Sequence, residues 1–146
     1  IPRALTDKEI RIRDSALQAT QKREREEREQ KIADQNLLRL YSTPEDVTRA
    51  RDTKLTSIDS FISTQEGNIR RLQNQKRQLE SSLADVERAG GTINKDRVDR
   101  IRSIEGRIKQ IVAEIRDKEE EKIVMTTSYA ADLKRVLELY GNDSSS

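Results

Sequence analysis

Apolar residues recur at alternating intervals of three and four along two long stretches of the chain. An average period of 3.5 residues, kept over about five heptads in each stretch, is typical of the seam of a coiled coil. The pattern therefore predicts two long helices, each of which buries one narrow stripe of side chains. The first stripe consists of Leu55, Ile58, Ile62, Ile69, Leu72, Leu79, Leu83 and Val86, and the second of Ile101, Ile104, Ile108, Ile111, Ile115, Met125, Tyr129 and Val136.

Capping residues and helix breakers predict a first helix that precedes both stripes. Thr6 and Glu9 have the spacing of a capping box, in which Thr6 accepts from the Glu9 amide and the Glu9 side chain reaches back. This helix should begin near Asp7. It should stop at Ser42-Thr43-Pro44, because proline cannot continue a helix.

Similar signals bound the second and third helices. Thr43 is a suitable N-cap with Pro44 in the first helical position, and Gly90-Gly91 should end the second helix. Asn94 should cap a third helix, and Gly141 should end it. Because the loop between these two helices is short, the chain should fold back on itself as an antiparallel hairpin.

An antiparallel hairpin brings together residues that are equally distant from its turn. The polar interruptions of the two stripes then fall at matching heights, with Gln65 opposite Lys118 and Lys122 near Ile62. A shared polar layer of this kind fixes the register of a coiled coil at some cost in stability. The expected apolar pairs include Leu79 with Ile104, Ile58 with Met125, and Val47 with Val136.

The predicted fold class is all-α: a long antiparallel coiled-coil hairpin preceded by a third long helix that docks at the open end of the hairpin. We assign residues 1–43 to an N-terminal helical arm, 44–140 to the hairpin with its turn at 89–94, and 141–146 to a disordered tail. Within the arm, Gln18–Lys31 is a charged spacer without a consistent apolar face. The apolar residues that should dock are Ile32, Leu37, Leu38, Leu40 and Tyr41, against Leu133, Leu137 and Tyr140.

Composition supports long helices over a compact globule. Of the 146 residues only 32% are apolar and 38% are charged, which is too little apolar surface for a large core. The 29 basic and 27 acidic residues alternate in sign, which is typical of a solvated helix surface and not of a field directed at a polyanion. The absence of Cys and His removes thiol chemistry and the commonest metal ligand and general base.

Four features invite a functional interpretation, and each has a structural alternative that we favour. The KREREERE run could bind nucleic acid or heparin, but its balanced charge indicates a solvated spacer. Glu119-Glu120-Glu121 could bind a cation, but consecutive residues point around a helix. Lys118 and Lys122 could be a functional pair with perturbed pKa values, but a register-setting layer is the simpler interpretation. The aromatic residues could form a partner surface, but core positions are favoured for Phe61, Tyr41, Tyr129 and Tyr140.

Two segments carry a resemblance to a known family. Residues Ile1–Leu5, and above all Leu37–Leu55 (LLRLYSTPEDVTRARDTKL), resemble the helical region of uncharacterised gammaproteobacterial envelope proteins. Those proteins carry a signal peptide and a short β-rich domain of unknown function before such a region. The resemblance implies a periplasmic or envelope-associated location and an N-terminal domain upstream of this sequence. It implies no activity and no functional residues.

Two classes of function fit these observations. The favoured one is a non-catalytic structural or interaction module, a rigid helical spacer or scaffold for protein partners. The alternative is a helical protein that binds nucleic acid or an anionic surface directly. An enzyme fits least well, and we predict no catalytic residue, no metal site, no cofactor and no small-molecule substrate. A homodimer is expected because a single seam buries little apolar surface, with a monomer steadied by its three-helix end as the alternative.

Overall fold

The computed structural model describes residues 3–144, with the side chains described up to Gly141. The described chain contains three α-helices and no strand: α1 (Asp7–Leu40), α2 (Pro44–Arg88) and α3 (Lys95–Ser144). Helices α2 and α3 pack closely as an antiparallel hairpin, and α1 precedes them. The all-α hairpin with a third helix is therefore confirmed.

The start of α1 follows the predicted cap. The Oγ1 atom of Thr6 accepts from the backbone N–H of Glu9 at 3.1 Å, which satisfies one of the donors left open at a helix N-terminus. The Glu9 carboxylate accepts from the guanidinium of Arg3 at 2.8 Å, so its charge is directed at the segment before the helix. The helix begins at Asp7, as predicted.

Helix α2 begins with a reciprocal capping box. The backbone N–H of Asp46 donates to Thr43 Oγ1 at 3.3 Å, and the backbone N–H of Thr43 donates to Asp46 Oδ2 at 3.2 Å. An aspartate here fills the role that glutamate or glutamine usually has in this motif. The predicted cap at Thr43 is confirmed, and Pro44 is the first helical residue.

The turn of the hairpin is a Schellman motif. The N–H of Gly91 donates to the carbonyl of Val86 at 2.9 Å, and the N–H of Gly90 donates to the carbonyl of Glu87 at 3.0 Å. Gly90 has a φ of 75°, which a residue with a side chain rarely adopts. Asn94 then caps α3, accepting from the backbone N–H of Asp96 at 2.9 Å.

The described chain divides into two compact units, of which the first is Thr48–Ala130. Its buried apolar residues all lie on the predicted stripes: Ile58, Ile104, Ile111 and Met125. Gln65, predicted as a polar interruption of the first stripe, is buried as well. The remaining stripe positions and the other two polar interruptions are half-buried, because two helices can cover only one side of each other. The half-buried positions are Leu55, Ile62, Ile69, Leu72, Leu79, Leu83, Val86, Ile101, Ile108, Ile115, Lys118, Lys122 and Tyr129.

The second unit contains the chain up to Val47 and the chain from Ala131. Val47 and Val136 are its buried residues, in agreement with their predicted pairing. The last turns of α1 bury part of Asp34, Leu37 and Leu38, which follow helical spacing, and the C-cap residue Tyr41 is half-buried as well. The domain boundaries predicted from helix ends do not coincide with these two units, and the predicted division stays a prediction.

The structure corrects part of the predicted docking of α1. Ile32 and Leu40 are 58% and 69% exposed, because both fall off the helix face that carries Leu37 and Leu38. On α3, Leu133 is half-buried as expected, but about half of the surfaces of Leu137 and Tyr140 remains exposed. Leu139, three residues after Val136, is half-buried and takes the inward place that was predicted for Tyr140.

The predicted end of α3 is also wrong. The helix continues through Gly141 to Ser144, and Gly141 does not have the positive φ that a C-terminal glycine cap requires. Glycine weakens a helix interior without forbidding it. Residues 145 and 146, the rest of the predicted tail, lie outside the described residues.

The register of the hairpin can be tested with one disulfide. Leu79 and Ile104 line the same groove between α2 and α3, so the double variant Leu79→Cys/Ile104→Cys should form a bond within one chain under mild oxidation. Mass spectrometry after proteolysis identifies the bond. The control Leu79→Cys/Ile115→Cys displaces one thiol by about 16 Å along α3 and should not cross-link within the chain. An intrachain bond in the control alone would contradict the register.

Candidate functional site

Gln65 is the buried polar side chain of the hairpin seam, with 8% of its surface exposed. Its amide nitrogen donates to Glu114 Oε2 at 2.7 Å, and its amide oxygen accepts from Asn68 Nδ2 at 2.7 Å. Because both ends of the amide are satisfied, burial leaves no unpaired polar atom here. The Gln65–Glu114 bond can form at only one axial alignment of the two helices, so this contact favours a single register.

The predicted polar layer differs from this arrangement in its partners. Lys118 was expected opposite Gln65, but its ammonium lies 3.0 Å from Glu121 Oε2 and 5.4 Å from the centre of the Phe61 ring. This geometry is a cation–π contact, and it places Phe61 at the flank of the seam with 38% exposure instead of in the core. Lys122 donates to Asp59 Oδ1 at 2.8 Å across the hairpin.

The acidic run on α3 is part of this cation network. Lys118 donates a hydrogen bond to the Glu121 carboxylate and lowers its pKa, and the more distant Lys54 acts in the same direction. Glu119 and Glu120 are exposed and point away from that position. In the described part of the chain, no group of three acidic residues is arranged to hold a metal ion.

An ion pair that the sequence analysis missed joins α1 to α3. Arg135 donates to both carboxylate oxygens of Asp34, from Nε at 2.8 Å and from Nη2 at 2.6 Å. This bidentate geometry is the strongest form of such a contact. The Arg135 hydrogen bond lowers the pKa of Asp34, although partial desolvation opposes the shift and Gln30 adds a second donor. Asp34 and Glu138 in turn raise the pKa of Arg135.

The two flanks of the seam near the turn carry different charges. On one flank the Lys76 ammonium lies 3.3 Å from Glu105 and 3.6 Å from Glu80, so its charge is balanced. The other flank, which we call the arginine edge, carries Arg71, Arg97, Arg100 and Arg107. Contacts through Asn68, Gln65 and Glu114 connect Arg71 with Arg107, and Arg100 lines a groove with Gln75 and Gln78. Two of these guanidiniums donate to neutral oxygens: Arg97 to Ser82 Oγ at 2.7 Å, and Arg71 to Asn68 Oδ1 at 2.9 Å.

Large apolar side chains are exposed on α1 and on the outer face of α3. Ile12 and Leu17 are 60% and 55% exposed, and Ile123 and Val124 are 68% and 70% exposed. No residue of α1 is buried, and every residue from 11 to 30 is exposed. The exposure of the charged segment agrees with the predicted solvated helix.

Comparisons with known proteins leave the function open. No family model, no curated protein and no solved structure matches this chain. Among the described residues, no helix is sufficiently long and apolar to cross a membrane.

The energetic cost of the buried amide can be measured. Replacing Gln65 with Leu removes a buried polar group from an apolar seam, so we expect stabilisation of about 1 kcal/mol and a rise in Tm of roughly 2–4 °C. Thermal unfolding followed by circular dichroism provides the measurement. The control Gln65→Ala removes the same amide but leaves a cavity, and should lower Tm. A lower Tm for the Leu variant would show that the Glu114 and Asn68 contacts outweigh apolar packing.

The Asp34–Arg135 pair should make the docking of α1 dependent on pH. Because the folded-state pKa of Asp34 lies below its ordinary value of 3.8, the stabilisation is fully present above that value. It is lost as pH falls through the lower folded-state value. Asp34→Asn should reproduce the loss at neutral pH.

Amide hydrogen exchange over the last turns of α1 measures this effect. We expect lower protection factors in Asp34→Asn at pH 7, and in the wild type at a pH below 3.8. The control Glu138→Gln removes the other carboxylate that Arg135 contacts. Glu138 lies 2.8 Å from Arg135 on the same helix, α3, so this variant should lower the protection of α1 less than Asp34→Asn does. Equal protection in Asp34→Asn and the wild type at pH 7 would contradict the role of the pair.

Proposed function

We propose that this chain is a non-catalytic structural or interaction module, a helical spacer or scaffold for protein partners. The observation that carries the proposal is the exposure of α1, which extends for 34 residues without a single buried one. A helix of this length that packs against little of its own chain has most of its surface free for contacts with another molecule. The exposed Ile12 and Leu17 supply apolar positions for such a contact.

The organisation of the hairpin supports the same function. Two polar side chains of the seam form hydrogen bonds from one helix of the hairpin to the other, Gln65 with Glu114 and Lys122 with Asp59. Groups engaged in this way contribute to a defined register, which a scaffold needs to present its surfaces in fixed positions. The envelope-associated location implied by the family resemblance remains part of the proposal.

The arginine edge favours a second candidate function, direct binding of nucleic acid or an anionic surface. Guanidinium groups bind phosphate and carboxylate oxygens with two hydrogen bonds each. Binding of a phosphate polymer should weaken steeply as salt increases, whereas an interface between helices should respond much less. The salt dependence of binding therefore separates the two candidates.

Photocross-linking in cells that produce the full-length protein tests the first candidate. A photoreactive phenylalanine analogue at Ile12 or Leu17 should give discrete protein adducts, because both side chains are exposed on α1. The same analogue at Glu26, in the charged segment, is the matched control and should give weaker adducts. An adduct of twice the chain mass would identify the partner as a second copy.

The same experiment can overturn the proposal. If all three positions give no protein adduct, α1 does not contact a protein. Adducts at Ile12 and Leu17 that disappear after nuclease treatment would favour the nucleic-acid alternative.

A further inference from the structure

The arginine edge borders a groove in which the seam residue Leu79 lies among polar side chains. The groove has a volume of about 320 Å³, and its lining residues include Leu79 and Ile104 on the seam and Gln75, Gln78 and Arg100 on the rim. Leu79 is only half-buried, so part of its surface faces the groove. A groove between two helices of a coiled coil, with partly exposed seam residues, has the form that accepts a third amphipathic helix.

The charge of the rim restricts what such a helix can carry. Arg71, Arg100 and Arg107 are exposed, and the groove beside Arg100 is also lined by the amides of Gln75 and Gln78. Glu114 lies 4.0 Å from the Arg107 guanidinium. Glu114 also accepts the hydrogen bond from Gln65, so its charge is shared between the seam and the edge. The edge is therefore complementary to carboxylates on a partner.

We propose that the arginine edge docks an amphipathic helix of a partner protein, with apolar residues on the face toward Leu79 and Ile104 and glutamates or aspartates flanking them. This inference rests on the proposed scaffold function and specifies the chemistry of one partner surface. The flanking charges select the partner, as charges beside the seam do in coiled coils, and the half-buried Leu79 supplies an apolar contact.

The spacing of the arginines matches a helix that carries one carboxylate in each heptad. Arg100 and Arg107 are seven residues apart, which is about 10.5 Å along α3. Carboxylates that recur every heptad on a partner helix have the same spacing. Every third phosphate of a DNA strand, at about 3.4 Å per phosphate, also comes near this spacing, so what favours a helix is the seam residue Leu79 beside the arginines, which gives a phosphate backbone nothing to bind.

Designed peptides of about four heptads provide the test. One peptide carries Leu at the seam positions and Glu at the flanking positions, and a second carries Lys in place of every Glu. Fluorescence anisotropy of the labelled peptides with the whole purified chain should show binding of the Glu peptide and not of the Lys peptide. Single-stranded DNA and poly-glutamate are the comparison ligands, because they carry negative charge without an apolar face.

Charge reversal on the protein completes the test. The triple variant Arg71→Glu/Arg100→Glu/Arg107→Glu should bind the Glu peptide at least about tenfold more weakly and should gain affinity for the Lys peptide. The variant Arg70→Glu/Arg77→Glu/Arg102→Glu changes the net charge equally outside the edge, and should alter affinity by no more than about twofold. Far-UV circular dichroism verifies that both variants retain their helices.

Four results would overturn the inference. The first two are equal binding of the Glu and Lys peptides, and an equal loss of affinity for the Glu peptide in the two triple variants. The third is tighter binding of DNA than of the Glu peptide. The fourth is a concentration-dependent dimer in light scattering that only the edge variant abolishes. The last result would assign the edge to a second copy of the chain. Because these measurements use purified protein and designed peptides, their failure leaves the photocross-linking test of the scaffold function unaffected.

Discussion

The packing of the hairpin depends on the fact that each long helix has only one apolar stripe to bury. Two such stripes satisfy each other when the chain reverses, and the Schellman turn at Gly90-Gly91 supplies that reversal over a few residues. The resulting seam is narrow, so its contribution to stability is concentrated in a few side chains, such as Ile58, Ile111 and Met125. A polar group placed among them, Gln65, has a large effect on register because few other contacts compete with it.

The unit that contains α1 uses a different interaction. Its apolar contacts include the buried Val47 and Val136 and a set of half-buried side chains, and a specific contact to α1 is the Asp34–Arg135 pair. A bidentate ion pair adds direction to a contact whose apolar part is small. It also makes this contact sensitive to protonation, because the stabilisation requires an ionised Asp34.

These two modes of packing leave distinct surfaces available for partners. Helix α1 offers a charged surface with isolated apolar residues, among them Ile12 and Leu17. The turn-proximal part of the hairpin offers an edge of arginines beside a groove, while the opposite flank neutralises its lysine internally. The proposed scaffold function would allow these two chemically different surfaces to contact two kinds of partner, and the proposed acidic helix corresponds to only one of them.

The sequence by itself determined the helices, their caps and the stripe that each one buries. These features depend on local rules: Thr6, Thr43 and Asn94 cap the helices through hydrogen bonds to residues two or three positions away. The heptad spacing then determined which residues are buried, because every buried residue of the described chain lies on the predicted seam. Only the tertiary structure decided which partners the long polar side chains have. Gln65 bonds to Glu114, Lys118 contacts Glu121 and Phe61, and Asp34 bonds to Arg135. The sequence does not determine these partners, because a flexible side chain can reach several neighbours at similar distances. The continuation of α3 through Gly141 was likewise invisible in the sequence, since glycine is compatible with either a helical or a left-handed backbone.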